Sequence, residues 1–295
     1  MEIPTKVKNI AAEILYRSAI ARKIYVQLRF PEEIKFSLSE NQSSKEGNKS
    51  VLFFTTHKCA SMYIGKTLKT ILRNNQNLTF IDLNGYRSAK GATISAEGTY
   101  VGAPEDISDT ELNRRIYFQP SGYFFGPLRH PGYLDLVKNI DDYKILLILR
   151  DPRNMLISLY STIRYNHLLP FASAKDRERM LVDRKKASEQ TVDQFVLEHS
   201  TFWLRRYKLY CEKLIGRENV LFIKFEDLVS GMENNLNNIV SFLKLNPDPK
   251  KVTNIINQSK KKQIIPSDYR RKLKPETIQS LNQEFSQVLR ILGYN

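Results

Sequence analysis

Residues 51–72 read VLFFTTHKCASMYIGKTLKTIL, in which an apolar run, a short polar loop and an amphipathic segment follow one another. This order predicts a strand over residues 51–56 and a helix over residues 61–73. A helix that starts directly after a strand presents unsatisfied backbone N–H groups and the positive end of its dipole at the end of that strand. The segment therefore predicts a binding site for a phosphate or a sulfate group.

The pattern of a strand followed by a helix occurs twice more along the chain. Residues 143–149 form a second apolar run, followed by Asp151 as a helix N-cap and Pro152 at the first helical position. A third strand is predicted over residues 219–225, before a helix over residues 232–243. Short buried strands that alternate with helices are typical of a parallel sheet. We therefore predict an α/β fold with three layers, in which helices flank a central, mainly parallel sheet.

The α/β domain is assigned residues 51–295, and residues 1–50 are predicted to form an N-terminal amphipathic helix, over residues 5–28, and a polar linker. A basic amphipathic helix suits a membrane surface, but packing against the core of the same protein is commoner, and we expect the second arrangement. The apolar positions that define the helix are Val7, Ile10, Ala11, Ile14, Leu15 and Ile20.

The composition excludes several classes of protein. A chain of 295 residues that is 41% hydrophobic is neither disordered nor collagen-like. Two cysteines, Cys59 and Cys211, are too few for a disulfide framework and lack the spacing of a zinc site. A reducing, cytoplasmic location is therefore expected, without a transmembrane segment or a metal. The chain has 46 basic and 31 acidic residues, and its formal charge of +15 indicates an anionic ligand or partner.

Two registers compete for the predicted anion loop. In one, Gly65-Lys66-Thr67 would end the phosphate loop of a nucleoside triphosphatase or kinase, but the first glycine of that motif would fall on Ala60. In the other, Lys58 is the loop lysine and the first turn of the helix supplies the backbone N–H groups. We favour the second register, because the first would place the loop unusually far beyond the strand.

A second anion contact is predicted at Arg150, which ends the strand over residues 143–149. Ligands of open α/β sheets bind at this edge, and the planar guanidinium group binds phosphate oxygens with two parallel hydrogen bonds. Ser158, eight residues later, would add a hydroxyl donor from the following helix. An ion pair between Arg150 and an acidic neighbour is the alternative interpretation.

The segments HKCASMY and RDPRNMLISLY, roughly 90 residues apart, resemble the two cofactor motifs of sulfotransferases that use 3′-phosphoadenosine 5′-phosphosulfate (PAPS). The resemblance implies that Arg150 and Ser158 bind the 3′-phosphate of PAPS or of the product PAP. It also implies a 5′-phosphosulfate loop. The residues of that loop are Lys58, Cys59, Ala60, Ser61, Met62 and Tyr63.

The resemblance continues toward the C-terminus. In NVLFIKFEDL, Phe225 occupies the place of an aromatic residue that helps to frame the adenine. In KQIIPSDYRRKLK, Lys262 falls by position on a phosphate-binding arginine, with Arg270 and Arg271 as substitutes. The family's glycines are missing from this last segment, and a solvated run of charges remains its alternative interpretation.

The resemblance assigns the general base to His130, which lies 20 residues before Arg150, and gives Lys58 the task of neutralising charge on the leaving phosphate. A histidine is neutral near physiological pH and can accept a proton. A capping role beside Pro131 is the alternative for His130. His57 is a second candidate for the base, and a carboxylate such as Asp106 stays open.

The acceptor is predicted to be a small molecule, a metabolite or a natural product, with the oligomeric state undetermined and a homodimer left open. Its candidate walls are Tyr123, Phe124 and Phe125, together with residues 165–180. The charged segment 173–186 is expected to be a mobile lid or a solvated helix. The rival classes are a kinase that uses the other register and a nucleic-acid-binding protein, for which no reading motif is found, so no nucleic-acid partner is expected.

Overall fold

The computed structural model describes residues 5–38, 48–72, 78–91, 93–94, 100–101, 118–246, 249–261 and 268–294. These residues form a parallel five-stranded sheet with the strand order β2-β5-β1-β6-β7, and a separate antiparallel pair, β3 with β4. The strands are β1 (Val51–Thr55), β2 (Thr79–Ile81), β3 (Thr93–Ile94), β4 (Tyr100–Val101), β5 (Tyr123–Leu128), β6 (Lys144–Leu149) and β7 (Val220–Lys224).

Helices precede the first strand, connect later strands and follow the last one. They are α1 (Thr5–Arg17), α2 (Ala19–Arg29), α3 (Pro31–Leu38), α4 (Ser61–Leu72), α5 (Leu83–Ala89), α6 (Pro152–Ser161), α7 (Ala174–Glu189), α8 (Val192–Leu214), α9 (Phe225–Ser230), α10 (Met232–Leu243), α11 (Pro249–Lys261), α12 (Pro275–Glu284) and α13 (Ser286–Leu292). A π-helical turn, Thr162–Asn166, extends α6. The segment expected to be a lid or a solvated helix is the largely exposed helix α7.

The sheet is the middle layer of three. Successive side chains of a strand point to opposite faces, and in β1 Leu52 and Phe54 join a core cluster with α6, α8, α12 and α13. Val51 and Phe53 point the other way, into a cluster with α4, α10 and α11. Every residue of β1 is buried. The predicted three-layer fold is therefore confirmed.

The N-terminal segment forms two helices where the sequence predicts one. Ser18 separates α1 from α2, and its Oγ accepts a hydrogen bond from the backbone N–H of Ala21 at 3.1 Å. Arg22 donates to the carbonyl oxygens of Leu15 and Tyr16 at the end of α1, at 2.9 and 2.8 Å. A serine cap and a cation on the last carbonyls stabilise a break at this point.

The prediction that the apolar positions of this segment pack on the core is wrong for most of them, because Val7, Ile10, Ile14 and Ile20 are exposed. The buried contacts are made instead by residues such as Val26 and Phe30. Among the described residues, no helix is long and apolar enough to cross a membrane.

The predicted acceptor wall in β5 is also wrong. Tyr123, Phe124 and Phe125 are buried in the sheet. Phe124 stacks on Phe80 with ring centroids 5.4 Å apart, and Phe125 packs against Phe36 at a centroid distance of 5.4 Å. A central strand of a parallel sheet is covered on both faces, so its aromatic side chains fill the core.

Candidate functional site

The carboxyl ends of all five parallel strands meet at one edge of the sheet. In the order of the strands, this edge carries Asp82, Arg129, Lys58, Arg150 and Phe225. The chain leaves β1 toward β2 on one side and later returns to β6 on the other. Ligands of open α/β sheets bind outside the carboxyl ends at such a switch point. Lys58 and Arg150 follow the carboxyl ends of the two strands that flank it, β1 and β6.

The loop between β1 and α4 has an unusual backbone. Lys58 and Ala60 adopt left-handed conformations, with φ of 67° and 49°, which cost an L-residue about 1–2 kcal/mol each. Between them, the fully buried thiol of Cys59 lies 3.0 Å from Oγ1 of Thr56. Backbone strain of this kind clusters at ligand clamps. The loop ends at Ser61, the first residue of α4, so that the first N–H groups of α4 lie at the sheet edge.

The ammonium group of Lys58 lies among other cations. Burial lowers the pKa of Lys58, and the positive charges of Arg150 and Arg129 lower it further. Burial likewise lowers the pKa of Arg129. Like charges held together in a partly buried site repel one another, and a bound anion relieves this repulsion. The electrostatics of the edge therefore favour an anionic ligand.

Arg150, which follows β6, contacts residues that follow the two neighbouring strands, β1 and β7. Its Nη1 donates to the carbonyl oxygen of Lys58 at 3.0 Å, and its Nε lies 3.9 Å from Oε1 of Glu226. The guanidinium carbon sits 4.8 Å from the ring centroid of Phe225. The ring of Phe225 is only 1% exposed, so the expected contact with an adenine is wrong in this structure. The ring of Phe225 instead packs against the guanidinium group of Arg150.

The residues that directly follow Arg150 form and stabilise the start of α6. Asp151 caps the helix, since its Oδ1 accepts from the N–H of Arg153 at 2.9 Å, and Pro152 occupies the first position. The guanidinium of Arg153 pairs with the carboxylate of Asp151 at 2.7 Å and lies 4.2 Å from the ring centroid of Tyr269. It also donates to Oδ1 of Asn282 at 2.6 Å. The predicted N-cap is therefore confirmed, and Arg153 ties α6 to the C-terminal segment.

Ser158 is half-buried within α6. It lies one turn after Asn154, on the same face of the helix. Oδ1 of Asn154 accepts from the backbone N–H of Tyr269 at 2.9 Å, which brings the 3₁₀ turn Tyr269–Arg271 onto this face. Neither Asn154 nor Tyr269 was among the predicted site residues. Both residues lie inside the quoted segments RDPRNMLISLY and KQIIPSDYRRKLK, but only the fold shows that they contact each other.

The predicted C-terminal basic residues differ in their contacts and in whether the structure describes them. Arg270 is exposed, and its guanidinium carbon lies 4.9 Å from the ring centroid of Tyr269. Arg271 is also exposed and pairs with Asp268 at 3.5 Å. Lys262 lies outside the described residues. Of the three, Arg270 is the one whose position is tied through Tyr269 to the helix that follows Arg150.

His130 is buried at the end of β5 and caps the 3₁₀ turn that follows. Its Nδ1 accepts a hydrogen bond from the backbone N–H of Gly132 at 2.9 Å. A neutral imidazole whose Nδ1 accepts a hydrogen bond carries its proton on Nε2, so this ring has no second nitrogen with which to take a proton. The geometry favours the capping role over the base role. Asp106, the open carboxylate alternative, lies outside the described residues.

A second group of polar side chains adjoins the loop. The ring of His57 lies edge-on to Trp203 with centroids 5.8 Å apart, and its buried Nδ1 has no hydrogen-bond partner among the described residues. Burial lowers the pKa of His57 well below its ordinary value, and Arg129 and Arg206 lower it further. The guanidinium carbon of Arg206 lies 4.9 Å from the ring centroid of Trp203, and burial lowers the pKa of Arg206 to about 10.

Sequence reasoning missed Arg129, Trp203 and Arg206. Trp203 and Arg206 come from the middle of α8, roughly 145 residues after the loop in the sequence, and no local pattern links them to it. Arg129 carried one available signal, since it directly follows β5 as Arg150 follows β6. The charge of His167 contributes to the lowered pKa of His57, and the charge of Lys58 contributes to the lowered pKa of His167.

The remaining loop residues occupy the start of α4. Met62 is 63% exposed, and its Sδ lies 2.6 Å from Nη2 of Arg129. Ser61 is buried at the first position of the helix, and Tyr63 packs beside the core cluster of that face. Met62 is therefore the loop side chain most accessible to a ligand, whereas Cys59 contributes only its backbone.

The alternative loop Gly65-Lys66-Thr67 lies in the middle of α4. Its backbone N–H groups are used inside the helix and are not presented to a ligand, so the kinase register is wrong. Gly65 has a packing reason instead. A Cβ at this position would come within 3.2 Å of Cδ of Pro127, so the glycine allows α4 to approach β5 closely.

Comparisons with known proteins identify the family and the fold of the chain. Residues 113–288, more than half of the chain, match the family model described as sulfotransferase domain. A crystal structure of a mouse sulfotransferase complexed with PAP has a TM-score of 0.55 and 17% identity, and the match covers 89% of this chain and 91% of that one. A Mycobacterium avium sulfotransferase has a TM-score of 0.51 and 9% identity, with 93% and 82% covered. At these identities the two structures show a shared fold. No curated protein matches the chain.

Proposed function

The chain belongs to the sulfotransferase domain family and is therefore a sulfotransferase, and we propose that its donor is PAPS and its acceptor a hydroxyl or amine group of a small molecule. The observation that carries the proposal is the pairing of Lys58 and Arg150 at the switch point, joined by a hydrogen bond of 3.0 Å. The mouse structure that shares the fold holds PAP, which supports an adenosine 3′,5′-bisphosphate ligand for this chain.

The residues present suit such a ligand, which carries anionic groups at two separate positions. One cationic region is the left-handed loop with Lys58 and the N-terminus of α4. The other lies along α6, where Arg150 begins the segment and Ser158 follows two turns later. The 3₁₀ turn with Arg270 packs beside it. When bound, PAPS supplies the sulfuryl group that is transferred.

Lys58 and the first N–H groups of α4 would bind the 5′-phosphosulfate, and Arg150 and Ser158 would bind the 3′-phosphate. The ammonium group and the fixed N–H donors stabilise negative charge that develops on the leaving phosphate. Because Arg150 donates to the carbonyl oxygen of Lys58, it also holds the loop in its strained shape. Transfer without a metal ion remains a prediction of this assignment.

The acceptor side is proposed next to His57, His167 and Trp203, where α8 and the segment after α6 adjoin the loop. Acceptor sites combine aromatic surface with a few placed polar groups, and these side chains supply both. A small metabolite or natural product remains the proposed acceptor class. Screening candidate alcohols, phenols and amines with ³⁵S-labelled PAPS would identify it.

The donor is tested by calorimetry with PAP on two lysine variants of one helix-loop unit. Lys58→Ala is expected to abolish measurable PAP binding, since a charge-assisted hydrogen bond contributes about 1.5–3 kcal/mol and the site also loses a fixed charge. Lys66→Ala, its matched control on the exposed face of α4, is expected to bind PAP as the wild type does. Binding of ATP with Mg²⁺ that depends on Lys66, or a salt-sensitive gel shift with no PAP binding, would contradict the proposal.

A further inference from the structure

The outer face of α1 carries a row of exposed aliphatic side chains. Val7, Ile10 and Ile14 are spaced three and four residues apart, which places them on one side of the helix. Their exposed fractions are 49%, 53% and 56%. Side chains of this size are normally buried when a helix packs on its own protein.

The outer face of α2 repeats the arrangement. Ile20, Ile24 and Leu28 are spaced four residues apart and are 75%, 51% and 79% exposed. Of the fourteen large apolar residues that are exposed in the described parts of the chain, six therefore lie on these two short helices. Scattered apolar residues on a surface need no explanation, but such a concentration marks an interaction surface.

The outward orientation is fixed by contacts on the inner faces. Val26 of α2 and Phe30, which follows the helix, are buried in a cluster with Tyr86 of α5. Tyr25 packs edge-on against Phe171 with centroids 5.6 Å apart. In α1, Glu13 pairs with Arg177 of α7 at 2.6 Å. The helices are docked on the domain through these residues, so the aliphatic rows face away from it.

Nearly all the charged residues of α1 and α2 are basic. They contain a single acidic residue, Glu13, whose pKa is lowered by the hydrogen bonds of Arg17 and Arg177. Its carboxylate therefore stays ionised and is already neutralised by arginines. The basic residues of α1 and α2 are Lys6, Lys8, Arg17, Arg22, Lys23 and Arg29. Lys8, Arg17, Lys23 and Arg29 are exposed beside the aliphatic rows.

We propose that the outer faces of α1 and α2 bind the surface of an anionic lipid bilayer. Helices that lie in a membrane interface combine an apolar face with lysines and arginines, and anionic headgroups attract the cations while the aliphatic side chains enter the boundary of the acyl chains. A second copy of the chain is a poorer occupant, because two such basic surfaces repel each other. The two-helix surface needs no carboxylate from a partner protein, since lipid phosphates supply the negative charge.

Binding in this way would bring the acceptor side of the site near the bilayer. A cavity of about 170 Å³ lies between α1 and the segment after α6, lined on one side by Asn9 and Ala12 and on the other by His167 and Arg184. The positive charge of Lys58 contributes to the lowered pKa of His167. The helices are thus part of the rim of the proposed site, so the membrane surface and the reaction site lie on neighbouring parts of the molecule.

Sedimentation with vesicles tests the surface without any donor or acceptor, so its outcome is independent of the proposed function. The wild-type chain is expected to pellet with vesicles of phosphatidylcholine and phosphatidylglycerol in equal parts and not with pure phosphatidylcholine. Replacing Lys8 and Lys23 by Gln should weaken binding about fivefold for each lysine, the roughly 1 kcal/mol that a basic residue contributes near an anionic surface. Added salt should weaken it further.

The apolar contribution is tested with the double variant Ile14→Ser, Ile24→Ser. Its matched control is Leu209→Ser, Ile291→Ser, which changes two exposed aliphatic residues at 38% and 41% exposure on other helices. The first variant should lose vesicle binding and the control should keep it, with equal melting temperatures and equal PAP affinities. Wild-type chain that stays in the supernatant, equal pelleting of both variants, or a dimer in light scattering that only the first variant abolishes would each overturn the proposal.

Discussion

Replacement of Arg150 by Gln is expected to remove most of the affinity for PAP. In the structure the guanidinium is 4% exposed, stacked on Phe225 and hydrogen-bonded to the carbonyl oxygen of Lys58. Its position at the end of β6 aims it at the switch point, where we place the 3′-phosphate. Gln keeps the length of the side chain in part but removes the charge and the planar fork.

The magnitude follows from the bonds that are lost. Two charge-assisted hydrogen bonds to a phosphate contribute about 1.5–3 kcal/mol each, or about 3–6 kcal/mol together. At 1.4 kcal/mol for each factor of ten, the Kd for PAP should rise by about 10²- to 10⁴-fold. A second effect acts on the loop, because the carbonyl oxygen of Lys58 loses its donor and the left-handed turn at φ 67° loses a constraint.

The assay is isothermal calorimetry with PAP at low ionic strength, accompanied by a thermal melt to show that the variant is folded. Arg290→Gln serves as the control, since it removes the same charge from an exposed position on α13, and it should bind PAP as the wild type does. An Arg150→Gln variant that melts normally and binds PAP within threefold of the wild type would refute the assignment of the 3′-phosphate to this edge.

Three further substitutions have definite expected outcomes. Ser158→Ala should weaken PAP binding about tenfold or more by calorimetry, because a donor to a charged phosphate is lost, whereas Ser161→Ala, one turn later, should leave the Kd unchanged. The His130→Asn variant should keep turnover within about tenfold and melt normally, because the amide oxygen of Asn can accept the hydrogen bond from the N–H of Gly132. A fall in turnover of about 10²- to 10⁴-fold would instead show that His130 is the general base. Glu33→Gln should raise the melting temperature at pH 7.5 by about 2 °C for each kcal/mol gained, and the gain should shrink as pH falls toward 4.5.

The sign of the Glu33 effect follows from its surroundings. The side chain is 1% exposed, Oε1 accepts from the N–H of Asp82 at 2.7 Å, and Oε2 is buried without a partner among the described residues. Burial therefore raises the pKa of Glu33 above its ordinary 4.5. The folded chain holds the proton more tightly than the unfolded chain, so this group's contribution to stability falls as pH rises from 4.5 through the folded pKa. The neutral amide of Gln does not ionise, so the Glu33→Gln variant does not lose this stability as pH rises. Equal melting temperatures of wild type and variant at both pH values would contradict this reasoning.

The parallel sheet and its edge could be predicted because their signals are local. The predicted strands β1, β6 and β7 are short apolar runs, and two of them are followed by polar residues with a defined task, Lys58 after β1 and Asp151 after β6. The strands β2 and β5 are not among the predicted ones. Once the strands are known to be parallel, their carboxyl ends must share an edge. The expectation of an anion site at this edge therefore follows from chain order and helix capping alone.

The side chains that come from distant helices could not be predicted in the same way. Trp203 and Arg206 belong to α8, whose pattern indicates only an amphipathic helix. Phe225 and the aromatic residues of β5 are predicted at ligand-facing positions, but the structure buries them, and a large aromatic ring gains more by burial than by exposure. The capping bond of His130 depends on the 3₁₀ turn at Pro131, whose geometry the sequence does not specify.

The net charge of +15 now divides into groups with different physical roles. At the sheet edge and in the adjoining part of α8, burial lowers the pKa values of Lys58, Arg129 and Arg206, and the charges of neighbouring arginines lower that of Lys58 further. Burying these cations lowers the stability of the free protein, and the lost stability is regained when an anion binds. The exposed cations of α1 and α2 carry no such cost, since water solvates them. Stabilisation by PAP should therefore be large and specific to the edge, whereas stabilisation by anionic vesicles should depend on salt and on the N-terminal helices alone.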